Sequence, residues 1–189
     1  MTEPTRCSWA GEDPLYWAYH DTEWGVPLRD DRKLFELLML EGFQAGLSWL
    51  TILRKRENFR AAFDGFAPEV IADYGPEKIA ALLADPGIVR HRGKITATVA
   101  GAKAWLEIMR EPGGFSGFVW AVVDDKPIRN AWPSLAQLPA ATAESTALSR
   151  KLRARGFNFC GPTICYAFMQ AAGLVWDHTT DCFRYSEMP

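Results

Sequence analysis

Cys7 and His20 near one end of the chain, and His178 and Cys182 near the other, offer two thiols and two imidazoles in Cys-x12-His and His-x3-Cys spacings. Two sulfur and two nitrogen donors are the set preferred by tetrahedral zinc, and the second pair would sit on adjacent turns if its segment were helical. Four protein ligands leave no open coordination position, so such a centre would contribute to folding rather than polarise a substrate. It would tie the N-terminal and C-terminal segments together. From spacing alone the default remains four unrelated buried residues. A zinc deaminase is disfavoured in either case, because the H-x-E and P-C-x-x-C elements of that chemistry are missing.

A second constellation lies between Trp9 and Trp49, where Trp9, Tyr16, Trp17, Tyr19, Trp24, Phe35, Phe43 and Trp49 exceed the 13% aromatic content of the whole chain. Within it, Leu34, Leu37 and Leu38 form the i, i+3, i+4 stripe of a helix, and one more step along that stripe lands on Glu41. A carboxylate in an apolar stripe must meet a cation, hydrogen-bond donors or a ligand, because burying it alone is costly. A helix-end carboxylate touching solvent is the alternative. Aromatic walls around one carboxylate suit a flat cationic ring, which stacks on indole faces while the carboxylate accepts its N–H hydrogens. A methylated purine is such a ring.

The elements that must position these groups read as helices. Asp30-Asp31 opens a helix leading into Leu34, and a second is expected over about 46–63, with Trp49, Ile52, Leu53 and Phe59 on its apolar side. Prolines at first-turn positions mark shorter helices over 68–74 and 76–84. A long helix is expected over 88–109, weakened at Gly93 and Gly101, and 115–123 reads as helix because no partner strand is visible. The segment 127–141 reads as a surface connection. Thr142 as N-cap, Gly156 as stop and Pro162 as a new start describe helix, short hairpin, helix over about 142–173.

With 189 residues and 48% hydrophobic content, the chain is expected to form a single domain, 1–189. The polar start, with Pro4 and Arg6, does not resemble a secretion signal, and no apolar run reaches membrane-spanning length, so a soluble, cytoplasmic protein with no membrane partner is expected. Cys160 and Cys165, in apolar surroundings, read as core thiols. A net charge of −2 argues against nucleic-acid packaging. Basic clusters at 54–56, 90–94 and 150–155 suit weak scanning of DNA or, equally, ordinary solvated helix faces.

Taken as blocks, the residues carry a resemblance. Cys7-x-Trp9, Asp13-Pro14-Leu15-Tyr16, Tyr19-His20-Asp21-x-Glu23-Trp24-Gly25-x-Pro27, Leu40-Glu41-x-x-Gln44-Ala45-Gly46-Leu47-Ser48-Trp49 and Arg90-His91-Arg92-Gly93-Lys94-Ile95 resemble the 3-methyladenine DNA glycosylase I family. So do Gly156-Phe157-x-Phe159-x-Gly161-Pro162-Thr163-x-Cys165-Tyr166-x-Phe168-Met169-Gln170-Ala171 and the His178-x3-Cys182 ending. The likeness spans nearly the whole chain in order. It implies an all-α helix-hairpin-helix glycosylase fold in which Cys7, His20, His178 and Cys182 hold one structural zinc ion joining the two ends. It further implies double-stranded DNA containing alkylated bases as partner and 3-methyladenine as the free base released. The sequence leaves the oligomeric state open, with a monomer as the simplest reading.

By the same resemblance Glu41 and Tyr19 are the candidate catalytic residues that contact the excised base, Trp49 stacks on it, and Trp9, Tyr16 and Trp24 complete the pocket. Leu47, beside Gly46 on an exposed turn, is a candidate wedge for the gap left by a flipped nucleotide, with a core leucine as the alternative. Gly161 and Thr163 mark a helix N-terminus whose free N–H groups can hold a DNA phosphate. Glycosylases of this superfamily that also cut the strand carry a lysine early in the second hairpin helix. Here the run is Gly161-Pro162-Thr163-Ile164-Cys165, so no Schiff base can form and base removal alone is expected. The usual aspartate register falls near Asp181, inside the metal loop and a poor place for a catalyst, and Asp177 is similarly placed. The group that orients water is left open. Two other readings compete, a non-catalytic zinc-stabilised module for damaged or kinked DNA, and a helical protein with no DNA role.

Overall fold

In the computed structural model, which describes residues 4–187, nine α-helices follow one another: α1 (Pro14–Thr22), α2 (Asp31–Gln44), α3 (Trp49–Ala62), α4 (Pro68–Ile71), α5 (Pro76–Ala84), α6 (Arg92–Ile108), α7 (Gly114–Trp120), α8 (Ala143–Ala154) and α9 (Pro162–Ala171). Local chemistry explains most boundaries. Asp13, Asp30, Ser48 and Thr142 accept backbone N–H groups at the starts of α1, α2, α3 and α8, which satisfies donors that a helix start leaves unpaired. Proline occupies the first turn of α1, α4, α5 and α9.

The helix expected to begin at about Gly46 begins at Trp49, because the turn before it uses Gly46 at φ +83° and Ser48 is the cap. The one expected from Ile88 starts at Arg92 behind a His91 cap and runs through Gly101, where a side chain would press on Phe157 and Met39 at 3.2–3.3 Å. The expectation of an all-helical chain needs one correction. Ile128–Arg129 (β1) pairs in parallel with Val175–Trp176 (β2), Ile128 opposite Val175. Two residues per strand leave no alternation in the sequence to read.

The main core gathers Leu34, Phe35, Leu38, Phe43, Phe59, Trp120, Leu148, Phe168 and Met169 from α2, α3, α7, α8 and α9, with Phe63 just beyond α3. Cys160 and Cys165 are buried in it, as the sequence suggests. A second, smaller cluster holds Cys7, Tyr19, Trp24, Leu53, Ala171 and Cys182, with Trp9, Tyr16 and Trp49 packed against it. Leu37 and Trp49 touch both, so the aromatic N-terminal segment rests on the face of α2 and α3. At the end of α9, Gly173 at φ +71° passes so close to Gly25–Pro27 that a Cβ would meet backbone at 2.5 Å. No helix of the described residues is long and apolar enough to cross a membrane.

Candidate functional site

The four Cys and His side chains from the chain ends converge. Cys7 precedes a short 3-10 turn (Ser8–Ala10), His20 comes from the last turn of α1, and His178 and Cys182 follow β2. The segment carrying His178 and Cys182 is a turn, so the adjacent-turn helical arrangement considered for them is not how they meet. His178 Nδ1 lies 3.6 Å from Cys7 Sγ and 3.5 Å from Cys182 Sγ, and His20 Nε2 lies 3.5 Å from Cys182 Sγ. All four ligand atoms fall within 4.8 Å of one another and all four residues are buried. A tetrahedron with metal–sulfur and metal–nitrogen bonds of about 2.0–2.3 Å has edges of roughly 3.5 Å, so the donor set fits a tetrahedral divalent cation.

The surroundings orient the ligands. Asp21 Oδ1 sits 2.7 Å from His20 Nδ1, which turns Nε2 toward the sulfurs, and Arg6 holds Asp21 through Nε and Nη2 at 3.0 and 2.7 Å. Thr179 donates to Cys7 Sγ from its amide at 3.4 Å and its hydroxyl at 3.6 Å. Between the thiols, hydrogen bonding from Cys7 and the two imidazoles holds Cys182 well below the usual thiol range. The Cys182 bond and burial push Cys7 upward. The protein part of the cluster is thus organised around negative charge.

Beside it, sharing Trp9 and Trp24, a cavity of about 200 Å³ is lined by Trp9, Tyr16, Tyr19, Trp24, Glu41, Gln44, Trp49, Leu135, Leu138, Ala167 and Gln170. That volume is below the ~300–1,000 Å³ typical of drug-sized ligands and suits one flat ring system. Trp9 meets Tyr16 and Trp24 edge-on at 5.0 Å each, and Tyr19 and Trp49 lie 5.6 Å apart. Glu41 is 3% exposed, has no hydrogen bond or ion pair among the described residues, and opens on this cavity. Burial lifts its carboxyl to about 8, and burial together with Glu41 lifts the Tyr16 phenol to about 12. The Trp49 indole N–H is buried without a partner among the described residues.

The structure therefore brings Glu41, Tyr19, Trp49, Trp9, Tyr16 and Trp24 around one space, and adds residues not singled out from the sequence. Gln44 and Gln170 are polar positions on largely apolar helix faces, a signal of the same kind as Glu41. Leu135 and Leu138 come from the 127–141 connection, whose mouth-side position no local pattern announces. Neither Asp177 nor Asp181 lines the cavity. Asp177 is buried and accepts from Asn130, Trp132, Tyr166 and Gln170, while Asp181 is exposed. A larger neighbouring cavity of about 540 Å³ lies across Tyr19 and Trp49, but the guanidinium groups at its rim are already paired, Arg56 with Glu23 and Arg60 with Glu36. The smaller cavity, with its unpaired polar groups, is the better ligand site.

A third group lies at the C-terminal end of α2 and the α8–α9 hairpin. Leu47 is 41% exposed on the turn after Gly46, and Gln44 clamps that turn by donating Nε2 to Leu47 O at 2.8 Å. Lys94, read from sequence as part of a basic patch, is buried and donates Nζ to Phe43 O at 2.8 Å and Ala45 O at 2.6 Å, so it fixes the helix end. Phe159 at the hairpin, φ +53°, packs over Gly42 and His91. Gly161 begins α9 with no side-chain cap, Thr163 is exposed, and Arg90 and Arg92 are exposed with no ion pair among the described residues. The 54–56 cluster is spent within the fold, Arg54 on Asp13, Arg56 on Glu23 and Lys55 on the carbonyls of Pro86 and Gly87.

Fold and site together define a mostly helical protein with a buried-carboxylate aromatic pocket, a Cys2His2 cluster joining its ends, and an exposed turn beside a helix hairpin. Residues 9–185 match the family model for methyladenine glycosylase, and the chain belongs to that family. It is 51% identical over 180 residues to DNA-3-methyladenine glycosylase 1 of Escherichia coli (strain K12), covering 95% of this chain and 96% of that one. A crystal structure of 3-methyladenine DNA glycosylase I matches with TM-score 0.93 and 54% identity over 95% of this chain and 98% of that chain. A variant of 3-methyladenine DNA glycosylase I, solved in complex with 3-methyladenine, matches with TM-score 0.91 and 40% identity over 94% of this chain and 96% of that chain.

Proposed function

We infer that this chain is a DNA glycosylase that hydrolyses the N-glycosidic bond of 3-methyladenine in alkylated double-stranded DNA, releasing the free base and leaving an abasic site. The observation that carries the reading is Glu41, a buried carboxyl with no protein partner, opening on an aromatic cavity sized for one base. Methylation at N3 gives adenine a positive charge and weakens its bond to deoxyribose, so the base leaves neutral without first being protonated. What the protein must supply is extrusion, selection and placement of water.

In this reading Leu47 fills the gap left by the flipped nucleotide, and the uncapped start of α9 around Gly161 and Thr163 binds a backbone phosphate. Arg90 and Arg92 add charge on the same side. The α8–α9 pair acts as the helix-hairpin-helix of the fold. Trp49 stacks on the ring, Trp9, Tyr16 and Trp24 close the pocket, and Tyr19 with Glu41 contacts the base. Glu41, near neutral in the free pocket at pH 7, loses its proton when the cationic ring arrives and stabilises its charge. No lysine stands early in α9, so the strand stays intact after base removal.

Cys7, His20, His178 and Cys182 would hold one zinc ion, whose closed coordination supplies folding energy and no reacting group. The chain works as one domain, a monomer in the cytoplasm. Single-turnover incubation with alkylated duplex DNA tests the function: free 3-methyladenine should appear with abasic sites and no strand cleavage. Salt-sensitive binding to damaged DNA with no base released would favour the non-catalytic module instead.

A further inference from the structure

Two carboxamides face the base cavity, and in both the nitrogen is already engaged. Gln44 gives its Nε2 to Leu47 O at 2.8 Å, and Gln170 gives its Nε2 to Asp177 Oδ2 at 2.8 Å. Asp177 cannot accept the other end of that amide, because carboxylate oxygens offer lone pairs and no hydrogen. Its remaining partners are donors as well: Asn130 Nδ2 at 2.7 Å and Trp132 Nε1 at 3.0 Å on Oδ1, and the Tyr166 hydroxyl at 2.5 Å on Oδ2. Both carboxylate oxygens only accept, so whichever one faces Gln170 pairs with its N–H and never with its carbonyl oxygen. Gln170 is held with its nitrogen inward. Its Oε1 meets no protein donor among the described residues, is not sealed in the interior, and belongs to a residue lining the cavity.

We propose that Gln170 is a specificity-determining residue, its Oε1 accepting a hydrogen bond from the exocyclic amino group of a 6-aminopurine, and that Asp177 is the positioning residue that fixes this orientation. This rests on reading the cavity as the base site. A 6-oxopurine such as 3-methylguanine would place a carbonyl oxygen against Oε1, acceptor against acceptor, with no hydrogen between them. A site whose buried polar group is left unpaired by the wrong ligand rejects that ligand far more strongly than an apolar pocket rejects a difference in size. The burial and saturation of Asp177 thus acquire a purpose: a carboxamide free to rotate would accept from one base and donate to the other.

The test is titration of the intact zinc-loaded protein with free 3-methyladenine and free 3-methylguanine, followed by tryptophan fluorescence, for the wild type, Gln170→Met and Asp177→Asn. Gln170→Met keeps length and bulk while removing the acceptor, and should lower 3-methyladenine affinity about tenfold, the size of one hydrogen bond, with 3-methylguanine affinity unchanged or improved. Asp177→Asn lets the Gln170 amide turn either way and should narrow the ratio of the two affinities, an effect that loosened packing alone, weakening both ligands together, would not produce. Wild-type selectivity retained in Gln170→Met would overturn the proposal while leaving the base-site reading standing. Failure of the wild type to bind either base would overturn the base-site reading itself. Gln170→Met is decisive even if Asp177→Asn does not fold.

Discussion

The metal cluster and the base cavity share Trp9 and Trp24 and lie against each other, yet they treat buried polar groups in opposite ways. In the cluster, the ligand atoms of Cys7, His20, His178 and Cys182 lie within 4.8 Å of one another and are backed by Asp21, Arg6 and Thr179, and only the outer nitrogen of His178, Nε2, is buried without a partner among the described residues. At the cavity, Glu41 has no partner among the described residues, nor does the buried indole N–H of Trp49, one of the lining side chains, and each glutamine leaves one end open. A closed polar set contributes to folding and gives a ligand nothing to do. An open one costs stability until a ligand arrives, and that cost is what makes it selective. On the proposed reading, the first region would be filled once, by a metal, and the second filled and emptied.

Damage to the two regions should therefore have opposite consequences for stability. Replacing Cys182 with Ser is the largest perturbation: loss of the bound zinc and destabilisation of at least about 4 kcal/mol, with both chain ends loosening together, measurable by metal content and thermal melting. Replacing Glu41 with Gln should instead stabilise the protein while abolishing base recognition. The sign follows from the raised carboxyl. Between about pH 4.5 and 8 the unfolded chain has released a proton that the folded chain keeps, so wild-type stability falls as pH rises through this window. Glu41→Gln removes that dependence, and melts at pH 5 and pH 8 should diverge from wild type by up to about 1.4 kcal/mol per pH unit, the variant being the more stable at pH 8.

Smaller effects refine the picture within the cavity and at its mouth. Trp49→Ala should weaken binding of free 3-methyladenine by about 1–3 kcal/mol, the worth of a stacked aromatic, as read by titration. Leu47→Ala should slow excision from duplex DNA by roughly tenfold while leaving the free-base affinity unchanged and the melting free energy within about 0.5 kcal/mol, since the side chain is half out in solvent. A Leu47 variant that bound the free base less well would place the leucine in the pocket and not in the DNA.

How far the sequence reaches depends on what kind of signal each residue carries. Helix starts at Asp30, Thr142 and Pro162 were readable because capping is local chemistry. Glu41 was readable because a charge in an apolar stripe is a conflict that burial must resolve. Gln170 carries the same conflict in the run Ala167-Phe168-Met169-Gln170-Ala171, but an uncharged amide makes it quieter, and its meaning depends on Asp177 across a turn. Lys94 shows the opposite error, a cation counted with its basic neighbours whose ammonium is turned inward onto two carbonyls. The β1–β2 pair and the placement of Leu135 over the cavity depend on contacts far apart in the chain and leave no local period to detect.

A crystal structure of the zinc-loaded protein grown with 3-methyladenine would show whether Glu41 marks the base site. The base is expected between Trp49 and the Tyr16–Trp9 wall, its amino group toward Glu41 and Gln170, with the metal four-coordinate on Cys7, His20, His178 and Cys182 and unchanged by the ligand. A base bound to the metal, or seated elsewhere with the Glu41 cavity empty, would contradict that placement.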